Sequence, residues 1–132
     1  MQAPQGKKFS LRERLRSFRY AFRGIGMAMS TQHNFRIHLA AFILVIAAGF
    51  LFGINPEEWC IILLASALVI SLEIINTAME LTVDIISPEF REKAGMIKDL
   101  SAAAVLVAAI AAASAGVIIF GKYIFQLLTL HH

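Results

Sequence analysis

Three acids and an amide stand at helical spacing inside an apolar stretch of this chain. The segment 71–84 reads Ser-Leu-Glu-Ile-Ile-Asn-Thr-Ala-Met-Glu-Leu-Thr-Val-Asp, and its polar members Glu73, Asn76, Glu80 and Asp84 are spaced 3, 4 and 4. At about 100° per residue they fall within an arc of roughly 80°, one polar stripe on an otherwise apolar helix. One buried acid can serve only to hold a helix bundle together. Three acids and an amide on one stripe point to chemistry, because an ionisable group facing hydrocarbon is costly. A hard cation such as Mg²⁺ takes oxygen ligands, usually one or two carboxylates completed by water and phosphate, and Glu80 suits that role. Glu73 suits a general base toward a hydroxyl. Lys98 and Asp99 follow the next connection, where a lysine can counter phosphate charge.

The elements that position these residues follow from composition. The chain has 132 residues, 58% hydrophobic and only 16% charged. So little charge excludes disorder and an ordinary soluble globule, and so short a chain cannot bury that much apolar surface in itself. A bilayer is the fitting solvent. Three apolar segments, 37–54, 59–86 and 100–128, are each long enough to cross it. Gly53, Asn55 and Pro56 turn the chain after the first, and Ser87 and Pro88 stop the second. Alanine crowds the third between Ala102 and Ala115, which lets helices approach closely in lipid.

Charge sets the expected topology. Lys7, Lys8, Arg12, Arg14, Arg16, Arg19, Arg23 and Arg36 lie before or at the start of the first span, Arg91, Lys93 and Lys98 near the second connection, and only Lys122 on the opposite side. The positive-inside rule places the N-terminus in the cytoplasm and the C-terminus outside. Within 10–30, Leu11, Leu15, Phe18, Phe22, Ile25 and Met29 recur at spacings of 4, 3, 4, 3 and 4. Arg12, Arg16, Arg19 and Arg23 follow one residue later, with Ser10 and Glu13 as a capping box. This is the pattern of an amphipathic helix lying in the membrane interface, rather than of a nucleic-acid-binding arm or a signal peptide. With Trp59 at the outer interface, about twenty residues of hydrocarbon end near Glu80. Glu80 and Asp84 then sit at the cytoplasmic rim and Glu73 about 10 Å deeper, a geometry suited to a reaction between a cytosolic reagent and an amphiphile.

Glu73-Ile-Ile-Asn76-Thr-Ala-Met-Glu80-Leu-Thr-Val-Asp84 resembles the E-[IL]-[IL]-N-[ST]-A-[IVM]-E-x-x-V-D signature of the small prokaryotic membrane diacylglycerol kinases and undecaprenol kinases. Lys98-Asp99-Leu-Ser-Ala-Ala-Ala-Val-Leu is similar to their A-K-D-x-x-[SA]-[AG]-A-V-L motif, at the same separation, and the resemblance covers about 16–120. It implies a single all-α membrane lipid-kinase domain over 1–132, with an N-terminal amphipathic surface helix and three transmembrane helices. It further implies a homotrimer in the bacterial inner membrane, with active sites shared between subunits. Such enzymes transfer the γ-phosphoryl of MgATP to a lipid hydroxyl, so ATP is the co-substrate and Mg²⁺ the metal.

By position, the resemblance makes Glu73 the catalytic base beside the lipid hydroxyl, Glu80 a metal ligand, and Asn76 a polar residue between them. Lys98, Asp99, Glu89, Phe90, Arg91 and Tyr20 match nucleotide-contacting positions. One departure stands out. The family normally has a second metal-binding Glu before the first span, in E-x-N-x-x-x-H or a related form. Here the segment reads Gln32-His33-Asn34-Phe35-Arg36-Ile37-His38, so a neutral carbonyl replaces that carboxylate and weaker Mg²⁺ binding is expected. Asn34 and His38 make the segment more similar to Gram-positive undecaprenol kinases than to enterobacterial diacylglycerol kinases, favouring a polyprenol over diacylglycerol. Two other readings use the same residues: a small ion- or proton-conducting oligomer, and a weakly active relative of the kinases. Zinc on His33 and His38 is the lesser reading of two interface histidines. Gly24-Ile-Gly26 lacks the third glycine and the strand-to-helix context of a phosphate loop. The single Cys60 gives no disulfide framework, and His131 and His132 carry no assigned role.

Overall fold

A computed structural model describes residues 10–89 and 91–130. Lys7, Lys8, Phe90, His131 and His132, named above, lie outside the described residues. The described chain is all-helical: α1 (Leu11–Thr31), α2 (His33–Phe52), α3 (Pro56–Ile86) and α4 (Glu92–Leu130). The last three are long and apolar enough to cross a membrane.

Local chemistry explains each boundary. Ser10 caps α1 by accepting a bond from the Glu13 amide at 3.4 Å. At the end of α2, Gly53 takes the left-handed conformation (φ 61°), and the Ile54 amide reaches back to the Gly49 carbonyl at 3.2 Å. Glycine closes a helix in this way without a Cβ penalty. α3 starts on a full capping box: the Glu58 amide donates to Asn55 Oδ1 (2.9 Å) and the Asn55 amide to Glu58 Oε2 (3.0 Å), with Pro56 in the first turn. The helix therefore begins at Pro56, ahead of the apolar segment expected from Trp59 onward. α4 likewise begins at Glu92, because the charged residues before Leu100 extend the helix instead of forming a loop.

α3 and α4 form the main pairing, with α2 packed against α3. At the Trp59 end, Ile54, Ile62 and Ile119 form a buried cluster flanked by Val45, Phe52, Trp59, Phe120 and Tyr123. A Cβ on Gly49 would lie 2.7 Å from the Trp59 ring, so glycine there admits the indole against α2. The opposite ends of α3 and α4 carry the polar stripe. Most remaining large apolar side chains face outward, Leu44, Leu64, Ile85 and Ile118 among them.

Candidate functional site

α3 presents Glu73, Asn76, Thr77 and Val83 as buried positions. Glu73 is 2% exposed and Asn76 6%. The Thr77 hydroxyl turns back to the Glu73 carbonyl at 2.9 Å, which satisfies it inside the helix. The Glu73 carboxylate makes no hydrogen bond among the described residues. It lines a cavity of about 280 Å³ together with Asn76 from α3, Asn34 and His38 from α2, and Ala102 and Val105 from α4. Ile37, Leu106 and Ala109 complete the lining. A buried carboxylate facing such a space can take a proton from a group placed there.

One turn further along, Asn76 Nδ2 donates to Glu80 Oε1 at 3.1 Å. Asn76 Oδ1 in turn accepts the Ser101 hydroxyl of α4 at 2.6 Å. Ser101 also reaches its own helix at the Lys98 carbonyl, 2.9 Å away. Beyond Glu80, Lys98 Nζ pairs with Asp84 Oδ1 at 2.5 Å. Thus α3 and α4 bring Glu73, Asn76, Glu80, Asp84 and Lys98 onto one contiguous polar face.

Other expected site residues are not joined to this face within the single chain. Tyr20 is 58% exposed on α1, and its hydroxyl forms no hydrogen bond among the described residues. Asp99 and Arg91 are exposed. Exposed Glu89 has its carbonyl bonded by the Ser87 hydroxyl at 3.2 Å. Gln32 sits at the α1–α2 junction, where its amide bonds the Ala28 carbonyl at 2.9 Å and its side chain makes no bond among the described residues. His33 is exposed while His38 faces the cavity, and no group of three or more His, Cys, Asp or Glu side chains converges among the described residues. That donor set does not form an all-protein cage. It fits a hard cation that arrives with phosphate oxygens and water and needs one carboxylate, here Glu80.

Ser101 is absent from the sequence-based list, and so is a second buried acid, Glu58, which sits far from this face at the start of α3. An Asn-x-x-Glu spacing signals Glu58 as a capping residue, and Ser101 lies three residues after Lys98 on the same helix face.

A larger apolar groove of about 620 Å³ adjoins the Glu73 cavity, and the two share His38 and Ala109. Val45, Ile62, Val69, Ala112, Gly116 and Phe120 line it. The polar side chains of Glu73, Asn76, Asn34 and His38 lie on the smaller cavity, beside this apolar groove.

A family model described as prokaryotic diacylglycerol kinase matches residues 19–120. A diacylglycerol kinase of Synechocystis sp. is 44% identical over 101 residues, which cover 76% of this chain and 58% of that protein. An undecaprenol kinase of Bacillus subtilis is 41% identical over 105 residues, covering 80% of this chain and 85% of that protein. A diacylglycerol kinase of Escherichia coli is 31% identical over 93 residues, 70% and 76% of the two chains.

Proposed function

The chain belongs to the prokaryotic diacylglycerol kinase family, and from that premise we propose that it transfers the γ-phosphoryl of MgATP to the hydroxyl of a membrane lipid, undecaprenol first and diacylglycerol second. The observation that carries the reading is Glu73: a carboxylate 2% exposed, unbonded among the described residues, lining a small cavity with Asn34, His38 and Asn76 among apolar side chains, next to a larger apolar groove that shares His38 and Ala109 with it. The preference for undecaprenol rests on Asn34 and His38, since identities of 44% and 41% to relatives of the two kinds do not separate the substrates.

In this reading the lipid lies with its tail in the groove and its hydroxyl against Glu73. Glu73 takes the hydroxyl proton as the oxygen attacks the γ-phosphorus, and the bond to the β–γ bridging oxygen breaks to release ADP and a lipid monophosphate. Glu80, held through one oxygen by Asn76, is the residue that would hold Mg²⁺, which when bound neutralises phosphate charge. Lys98 and Asp99 hold the nucleotide, joined by Glu89, Phe90, Arg91 and Tyr20. Phosphoryl transfer depends chiefly on positioning and charge neutralisation, so a helical membrane fold without a phosphate loop can perform it.

The assembly proposed is a homotrimer in the bacterial inner membrane, N-terminus cytoplasmic and C-terminus outside, with α1 lying in the headgroup layer. Leu11, Leu15, Phe18 and Phe22 of α1 are exposed in the single chain, which supports a lipid-facing stripe. In a site shared between subunits, Tyr20 would reach the nucleotide and Gln32 the metal, contacts that neither makes within one chain. The experiment is a radiolabelled-ATP assay on purified protein in lipid, with undecaprenol and diacylglycerol in competition. Label in undecaprenyl phosphate is expected to exceed label in phosphatidate; label in neither sinks the kinase reading.

A further inference from the structure

Ser101 stands where the two halves of the polar face meet. It lies one helical turn after Lys98 on α4, and its hydroxyl crosses to α3 to meet the carboxamide of Asn76 at 2.6 Å. That carboxamide is buried, and its other end donates to Glu80 Oε1 at 3.1 Å. The three groups form a chain of donors running one way: hydroxyl to amide oxygen, amide nitrogen to carboxylate.

The direction matters because a primary amide has two ends that differ only in chemistry. Turned over, Asn76 would set its carbonyl oxygen against the Glu80 carboxylate, oxygen against oxygen. A hydroxyl donating to Oδ1 favours the orientation in which Nδ2 faces Glu80. The serine proton has a second acceptor in the Lys98 carbonyl at 2.9 Å, but the shorter bond is to Asn76. Glu80 is thereby held by Oε1, while its Oε2 makes no hydrogen bond among the described residues and stays open to an incoming cation. Near the site, this relay and the Lys98–Asp84 pair are the two side-chain links between α3 and α4 among the described residues.

We infer that Ser101 is a positioning residue for the cation site: it fixes the Asn76 carboxamide and, through it, aims the Glu80 carboxylate. The inference deepens the kinase reading and rests on its assignment of Glu80 as the metal ligand. Groups that orient a ligand from behind typically change metal affinity by about tenfold or more when removed. Alanine at this position leaves the buried Asn76 oxygen without its donor and frees the amide to rotate away from Glu80. Threonine keeps the hydroxyl.

The test uses the full chain in lipid nanodiscs and reads Mn²⁺ binding by electron paramagnetic resonance, with a non-hydrolysable ATP analogue present. The Mg²⁺ concentration for half-maximal turnover is measured alongside. Ser101→Ala is expected to weaken Mn²⁺ binding and raise the Mg²⁺ requirement by about tenfold, with the KM for lipid unchanged, while Ser101→Thr stays close to the parent. Glu80→Gln is the control for the ligand itself. Unchanged Mn²⁺ binding in Ser101→Ala beside weakened binding in Glu80→Gln overturns the role of Ser101 alone. Unchanged binding in both overturns the assignment of Glu80 and the inference with it. Equal weakening in Ser101→Ala and Ser101→Thr also overturns it, since the hydroxyl is then not what matters.

Discussion

Lys98 Nζ lies 2.5 Å from Asp84 Oδ1, tying the first turns of α4 to the last turns of α3. Both side chains are substantially exposed, 38% and 61%. Such a pair stabilises the fold by only about 0–1 kcal/mol. Lys98 can therefore leave Asp84 for a phosphate oxygen at little cost, as the proposed role on the nucleotide requires. Lys98→Met is expected to raise the KM for ATP by about tenfold or more, the scale of a charge-assisted bond. Asp84→Asn should shift it much less. Steady-state kinetics at saturating lipid measure both. An Asp84→Asn effect as large as that of Lys98→Met would make the aspartate, and not only the lysine, part of the nucleotide site.

Glu73 gives the most direct test of the chemistry. Glu73→Gln keeps the size and hydrogen-bonding capacity of the side chain but removes its basicity. Turnover is expected to fall by about 10²–10⁴, the contribution of a positioned general base. The size-exclusion profile should be unchanged. Full turnover in Glu73→Gln would assign proton removal elsewhere.

How far the sequence could reach is visible in these residues. The stripe from Glu73 to Asp84 was legible because an α-helix repeats every 3.6 residues, and four polar side chains in an apolar run stand out against hydrocarbon. Helix starts were less legible. Hydropathy registers only the apolar part of α4, so its charged turns from Glu92 onward read as a loop. The Asn55–Glu58 capping box, rather than Trp59, sets the start of α3. Ser101 was illegible for a different reason. A serine entering an alanine-rich run looks like another small packing residue, and only folding shows its hydroxyl meeting Asn76, 25 residues away in sequence. Tyr20 and Gln32 are not brought to the polar face by one chain, so the sequence match at those positions needs an assembly to test it.

Gln32 supplies a gain-of-function experiment. Its carboxamide is unbonded at the α1–α2 junction, so a carboxylate there would break no hydrogen bond among the described residues. Mg²⁺ is usually held by one or two carboxylates with substrate phosphates. Gln32→Glu should therefore raise activity when Mg²⁺ is limiting and have little effect when it is saturating. An Mg²⁺ titration of turnover decides; no change at low Mg²⁺ makes the position dispensable.

The apolar groove predicts a dependence on tail length. A Cβ on Gly116 or Gly121 would meet nothing within 4 Å, so both positions border open space. Gly116 lies seven residues beyond Ala109, which groove and Glu73 cavity share, about 10 Å along α4. Gly116→Leu should fill the groove and depress turnover of undecaprenol. A short-chain lipid alcohol that ends before this glycine should retain its rate. Equal rates for long and short substrates in the variant would place the tail outside this groove.

Glu58 tests whether the far end of the helix pair is structural. It is buried at the Trp59 end, where Oε2 accepts the Tyr123 hydroxyl at 2.7 Å and the Asn55 amide at 3.0 Å, and Oε1 pairs with Lys122. Lys122 also stands 4.7 Å from the Tyr123 ring centroid. One carboxylate thus caps α3 and ties it to α4, residues 65 apart in the chain. Glu58→Leu removes the cap acceptor, the ion pair and the tyrosine bond together, whereas Tyr123→Phe removes one bond. The thermal midpoint in detergent should fall for both, further for Glu58→Leu, with Glu58→Gln between them because it keeps the neutral bonds and loses the ion pair. Glu58 precedes Glu80 by 22 residues of helix, about 33 Å. Turnover below the melting range should accordingly stay near the parent value in all three. Loss of turnover in Glu58→Leu without a lower midpoint would instead couple this cluster to the polar face at the opposite end of α3.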